Sequence, residues 1–110
     1  SPGRTYTMSD WSTDDLILIA AYYNSKGLKA LDDSHEFCQR LANEIGQPAG
    51  GLDSQARMMR NIVRGDREGY KNAGKNAHIV ANEYMLYHQE SYDKANEIID
   101  RNGYDLPKLP

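Results

Sequence analysis

Apolar positions recur along this chain every three or four residues, the period of an α-helix, in four stretches divided by glycine-rich polar breaks. The first stretch begins at Ser12, a good N-cap, with Asp15 three positions on in capping-box fashion. Leu16, Ile19, Ala20 and Tyr23 then share one face. Asn24-Ser25-Lys26-Gly27 closes the helix, with Gly27 suited to the left-handed position past a helix end. A second helix is expected after Asp33 or Ser34, with Asp33 and Glu36 as a capping box and Phe37, Cys38, Leu41 and Ile45 as its buried stripe. Gly46 stops it, and Gln47-Pro48-Ala49-Gly50-Gly51 reads as a turn throughout.

The third helix is expected to be capped by Asp53 or Ser54, to turn Ala56, Met59, Ile62 and Val63 inward, and to close at Gly65. Its remaining face carries Gln55, Arg57, Met58, Arg60, Asn61 and Arg64. Residues 65–75, with glycine at 65, 69 and 74, read as a polar loop holding at most one helical turn. A fourth helix is predicted over residues 77–101, capped by Asn76, with Ala77, Val80, Ala81, Tyr84, His88, Tyr92, Ala95 and Ile99 keeping the repeat. About 25 residues at 1.5 Å each reach roughly 38 Å, more than the ~30 Å of a small domain. Its second half is therefore expected to project, to pair with a copy of itself, or to lead into another domain. The predicted fold is all-α: a helix-turn-helix-like three-helix core plus a long C-terminal helix, with residues 11–110 as one domain. Residues 1–10 read as a tag or disordered start.

Composition changes this picture little. At 110 residues, 39% hydrophobic and 26% charged, the chain suits one globular domain. The lone Cys38 rules out an intramolecular disulfide and fits a reducing, cytoplasmic setting. The longest apolar run, residues 16–23, falls far short of the ~20 residues that span a bilayer, so no membrane partner is expected.

Charge changes it more. Residues 54–78 hold six basic side chains (Arg57, Arg60, Arg64, Arg67, Lys71 and Lys75) and two acidic ones, a balance of +4. The rest has seven basic and fourteen acidic residues, a balance of −7, and together these give the net −3. Such polarity directs one region toward an anionic partner and keeps the others away from it. Arg57, Arg60, Asn61 and Arg64 lie at helical spacing. Arginine forks suit phosphate or guanine, and the amides of Asn61 and Gln55 suit adenine. Two helices joined by a Gly/Pro turn, the second bearing these residues, make a helix-turn-helix layout. The competing reading is an ordinary solvated helix face. Arg67, Lys71 and Lys75 on the loop suit backbone contacts, and Tyr70 between two of them can stack on a base.

Several short stretches carry a family resemblance. Trp11-Ser12-Thr13-Asp14-Asp15-Leu16-Ile17-Leu18 resembles the start of small helical domains found at the N-termini of some HNH and other restriction-type endonucleases. Leu41-Ala42-Asn43-Glu44-Ile45-Gly46 is similar to their second-helix end, and Met58-Met59-Arg60-Asn61-Ile62 to their following helix. Ala81-Asn82-Glu83-Tyr84 sits where they begin an aromatic-acidic helix. The resemblance spans residues 11 to 84. It implies a DNA-contacting or target-sensing accessory module in a restriction-modification or defence setting, with DNA and an adjoining nuclease domain as partners. The chain departs from that pattern because no nuclease domain follows within it and the helix after Tyr84 is long. It is expected to be a piece of a larger protein or a stand-alone relative.

No catalytic constellation, cofactor or metal site is expected. His78 and His88 are ten residues apart on one predicted helix. His35 and Cys38 share a helix face, but two ligands do not make a zinc site. Cys38 reads as a core residue. Glu68-Gly69-Tyr70-Lys71 lies in a loop rather than on a nuclease strand. Tyr84 and Tyr92 read as tyrosines at the rim of the core, with hydroxyls in water. The alternative function is a non-enzymatic interaction or adaptor module, a homodimer among its forms, working through the outer face of residues 85–99.

Overall fold

The computed structural model describes residues 11–110; the predicted tag or disordered start lies outside the described residues. All regular structure among them is helical. The elements are α1 (Thr13–Lys26), a 3₁₀ turn (Leu28–Leu31), α2 (Glu36–Ile45), α3 (Ala49–Arg64), the single-turn α4 (Arg67–Tyr70), α5 (Lys75–Tyr84) and α6 (His88–Asn102). No helix among the described residues is long and apolar enough to cross a membrane.

α1 is the central element. Ser12 caps it, accepting the Asp15 N–H at 3.1 Å. The expected apolar face is too narrow, because every residue from Leu16 to Tyr22 is buried. α3, α5, α6 and the 3₁₀ turn surround the helix, and a helix covered on all sides must be apolar all round. The unbroken apolar run is the signature of that position. The mirror case is α2, where only Cys38, Leu41, Ala42 and Ile45 are buried. Phe37 lies half-buried at its edge, packed edge-on against Tyr22 at 4.8 Å.

Besides the start of the fourth predicted helix, which lies at Lys75 behind Gly74 instead of after Asn76, three boundaries differ from the expectation. α2 is capped by His35, whose Nδ1 accepts the Phe37 N–H, while the Asp33 N–H goes to Asp53 Oδ2. α3 begins at Ala49, four residues earlier than its expected cap, so the connection from α2 is the short Gly46-Gln47-Pro48. Gly51 in the first turn of α3 serves packing: a methyl group there would meet Trp11 Cζ2 at 3.0 Å and Pro48 Cγ at 3.2 Å.

The third difference concerns the predicted helix over residues 77–101, which is two helices broken at residues 85–87. At the break the Tyr84 carbonyl accepts the Tyr87 N–H at 3.2 Å in a tight turn, and Asn24 of α1 adds a second donor. Asn24 Nδ2 donates to Tyr84 O and to Ser91 Oγ, both at 3.0 Å. α6 then folds back along α1 and buries Ser91, Ala95, Ile98 and Ile99, so it does not project. The tail beyond Gly103 is tied down too. Arg40 donates to Asp105 O at 2.8 and 3.1 Å, Asn96 exchanges two hydrogen bonds with the Leu109 backbone, and Leu106 and Leu109 are buried.

Tyr22 locks this tail to the core by donating its hydroxyl to Pro107 O at 2.6 Å. Burial pushes its phenol up to about 12, against a small opposing pull from Arg40. Cys38 is raised to about 11, first by burial and then by Asp53. Both groups hold their protons longer in the folded state than in the unfolded one. Stability is therefore expected to be intact below about pH 9 and to fall as pH rises through about 11 to 12. Melting temperatures followed across that range check this. Tyr22→Phe should flatten the upper part of the loss, and a level profile to pH 12 would contradict it.

Candidate nucleic-acid interface

The basic residues 54–78 fold into the second half of α3, α4 and the first turn of α5, with α4 and α5 both packed against α3. This packing decides which predicted contacts reach solvent. α3 is covered by α1 and α2 and also by α4 and α5. Gln55 is consequently 1% exposed and Asn61 8% exposed. Both were expected on an outward face for reading bases, and both are inside instead. Met58 is half-buried.

Asn61 has a structural task. Its Nδ2 donates to Gly69 O at 3.0 Å, and its Oδ1 accepts from Arg60 Nε at 3.2 Å and Nη2 at 3.1 Å. It thus clamps the α4 turn to α3 and orients Arg60. Gly69 makes the clamp feasible, since a Cβ there would collide with the Asn61 amide, whose Cγ would lie at 2.8 Å.

Arg57 leaves the predicted group for a different reason. It pairs with Asp53 Oδ1 at 2.5 Å and Asp32 Oδ2 at 3.3 Å. The hydrogen bond to Asp53 is the main cause that raises the pKa of Arg57. Asp32 is held below the usual carboxylate range, chiefly by the Ser34 hydroxyl and N–H, with Arg57 adding to it. Asp32, Asp33 and Asp53 bring carboxylate oxygens within 4.8 Å of one another, the one acidic convergence of this kind among the described residues. Arg57, Ser34 and the Asp33 N–H already use those of Asp32 and Asp53.

The remaining predicted residues fall into three neighbourhoods. Arg60 and Arg64 line a cleft with Tyr23, Met85, Leu86 and His88. Arg67, Tyr70 and Lys71 line a second hollow with Glu68 and His78. Lys71 is ion-paired to Glu68 at 2.8 Å, and Tyr70 stands edge-on to His78 with ring centroids 5.3 Å apart. Lys75 shares a third hollow with Trp11 and the buried Gln55.

Pairing is uneven across the molecule. Outside this region Arg40 pairs with Asp105, Lys94 with Glu97, Arg101 with Asp14 and Lys108 with Asp100, while Lys29 makes no ion pair among the described residues and Lys26 lies over the Phe37 ring. Within it, Arg64, Arg67 and Lys75 are exposed and make no ion pair among the described residues. Glu83, Glu90, Asp93 and Glu97 line a shallow groove between α5 and α6, away from these cations in sequence. Sequence reasoning missed His88 and Leu86 as neighbours of Arg60. The break that brings them there depends on Asn24, 60 residues before Tyr84.

Comparison with protein-family models, curated proteins and solved structures returned no match.

Proposed function

We propose that this protein is a nucleic-acid-contacting accessory module that grips the phosphate backbone of DNA through Arg60, Arg64, Arg67, Lys71 and Lys75. Restriction or defence nuclease systems of the cytoplasm are the setting that the sequence resemblance suggests. The observation that carries the proposal is the concentration of open cations. Arg64, Arg67 and Lys75 make no ion pair among the described residues and stand together on residues 54–78, whose balance is +4 against −7 for the rest. Open cations on an acidic body favour a polyanion and orient it.

The burial of Gln55 and Asn61 sharpens the proposal. With both amides inside, the surface holds charge but few groups able to distinguish base edges. Two unrelated duplexes of equal length are therefore expected to bind within about threefold of each other, measured by fluorescence anisotropy at one salt concentration. Discrimination of a hundredfold or more would refute backbone gripping as the mode. The adaptor reading retains less support, because α6 lies along α1 instead of projecting. Leu86 and Tyr87, 62% and 53% exposed, are the large apolar side chains open to a partner on the stretch it invokes.

A further inference from the structure

We infer that the cleft between the end of α3 and the α5–α6 break seats a single unpaired nucleotide, with its phosphate on Arg60 and Arg64 and its base against Leu86. This deepens the backbone-gripping proposal and rests on it for the source of the ligand.

The cleft has a volume of about 260 Å³ and no carboxylate among its lining residues. Arg60 is half-buried, and its hydrogen-bond partner is a neutral amide oxygen on Asn61. A partly desolvated guanidinium without a counter-ion is costly and favours an anion that completes it. The Asn61 clamp engages Nε and one face of Nη2, leaving Nη1 with donors to offer. Arg64 lies one helical turn further along the same face, and His88 adds a third nitrogen-bearing side chain at the start of α6. Two adjacent arginine forks match the several oxygens of a phosphate better than the two of a lone carboxylate.

The other half of the cleft is apolar. Met85 is buried beneath it, Val63 lines it, and Leu86 is the most exposed large hydrophobic side chain among the described residues. An anion joined to a flat apolar body fits that pairing of surfaces. The cleft is smaller than the ~300–1,000 Å³ of pockets that enclose a whole drug-sized ligand. One nucleotide, partly covered and still joined to its strand, suits the size. Only Gly65 and Asp66 separate Arg64 of the cleft from Arg67 in the chain.

The test is an NMR titration of the full chain with deoxyadenosine 5′-monophosphate, and separately with deoxyadenosine, inorganic phosphate and a short oligoglutamate. The nucleotide is expected to shift the amides of Val63, Leu86 and His88 saturably. Phosphate alone should bind at least tenfold more weakly, and the nucleoside should leave these amides in place. Arg60→Ala should weaken nucleotide binding tenfold or more, and Leu86→Ala, at an exposed side chain that the fold does not need, threefold or more. Lys29→Ala, at an exposed position on the 3₁₀ turn outside the basic segment, should not change nucleotide binding. Shifts absent from the cleft, or an oligoglutamate that binds there more tightly than the nucleotide, would overturn the inference. If the nucleotide leaves the cleft unmoved while duplex DNA binds in a salt-dependent way, the cleft assignment falls and backbone gripping stands. If the nucleotide binds in the cleft and no DNA binds elsewhere, the cleft assignment stands and backbone gripping falls.

Discussion

Ile98→Ala is expected to destabilise the protein by about 2–5 kcal/mol, while Leu86→Ala, twelve residues earlier, changes stability by less than about 0.5 kcal/mol. Ile98 is fully buried where α6 lies along α1, and truncation there removes transfer free energy and leaves a cavity between two helices. For a domain of this size such a loss lowers the melting temperature by on the order of 10–30 °C. The contrast between the two sites matters because both belong to the stretch that a straight helix would span. A projecting helix would make Ile98 as dispensable as Leu86. Equal, small effects at both positions would therefore overturn the folded-back α6.

The second large effect concerns the open cations. Arg64→Ala/Arg67→Ala/Lys75→Ala is expected to weaken DNA binding on the order of several-hundredfold at 0.1 M salt. Each phosphate neutralised releases close to one counter-ion, which contributes roughly a factor of ten at that concentration. The triple variant should also flatten the salt dependence by about 3 in log–log slope. Stability should be nearly unchanged, since all three side chains are exposed and make no ion pair among the described residues. Arg57→Ala, by contrast, should leave DNA affinity within a few-fold, because Asp53 and Asp32 already neutralise Arg57. Large loss in the Arg57 variant with little in the triple variant would reverse the assignment.

Local chemistry made much of the fold readable. The Ser12 cap, the buried stripe of α2 and the glycine closure of α3 all depend on neighbours within one or two turns. The break at residues 85–87 was not readable. It contains neither glycine nor proline, and the apolar repeat keeps its phase across it: Ala77, Val80, Ala81 and then Ser91, Ala95 and Ile98 would fit one unbroken helix. At the end of α5 the Tyr84 carbonyl turns to the Tyr87 N–H and to a carboxamide from α1, the latter a contact distant in sequence that periodicity does not encode. The docked tail is hidden for the same reason, since Asn96 and Tyr22 hold it through backbone atoms that carry no sequence signal.

The candidate site was partly legible. Charge segregation is a property of composition along the chain and survives folding. Exposure is not, and it removed two predicted residues. Helical spacing places Asn61 beside Arg57, Arg60 and Arg64, but α4 and Gly69 pack onto that part of the stripe and turn the amide into a clamp. Arg57 shows the converse case. It sits on the expected face, yet the turn before α2 delivers Asp32 to it.

The central claim, that an acidic molecule binds DNA through five clustered cations, is tested most directly by the salt dependence of affinity. Binding of the intact chain to a short duplex should be measured by anisotropy between about 50 and 200 mM monovalent salt. Engagement of Arg60, Arg64, Arg67, Lys71 and Lys75 predicts a log–log slope of about −4 to −5. A slope shallower than about −1, or no binding at the lowest salt, would contradict it.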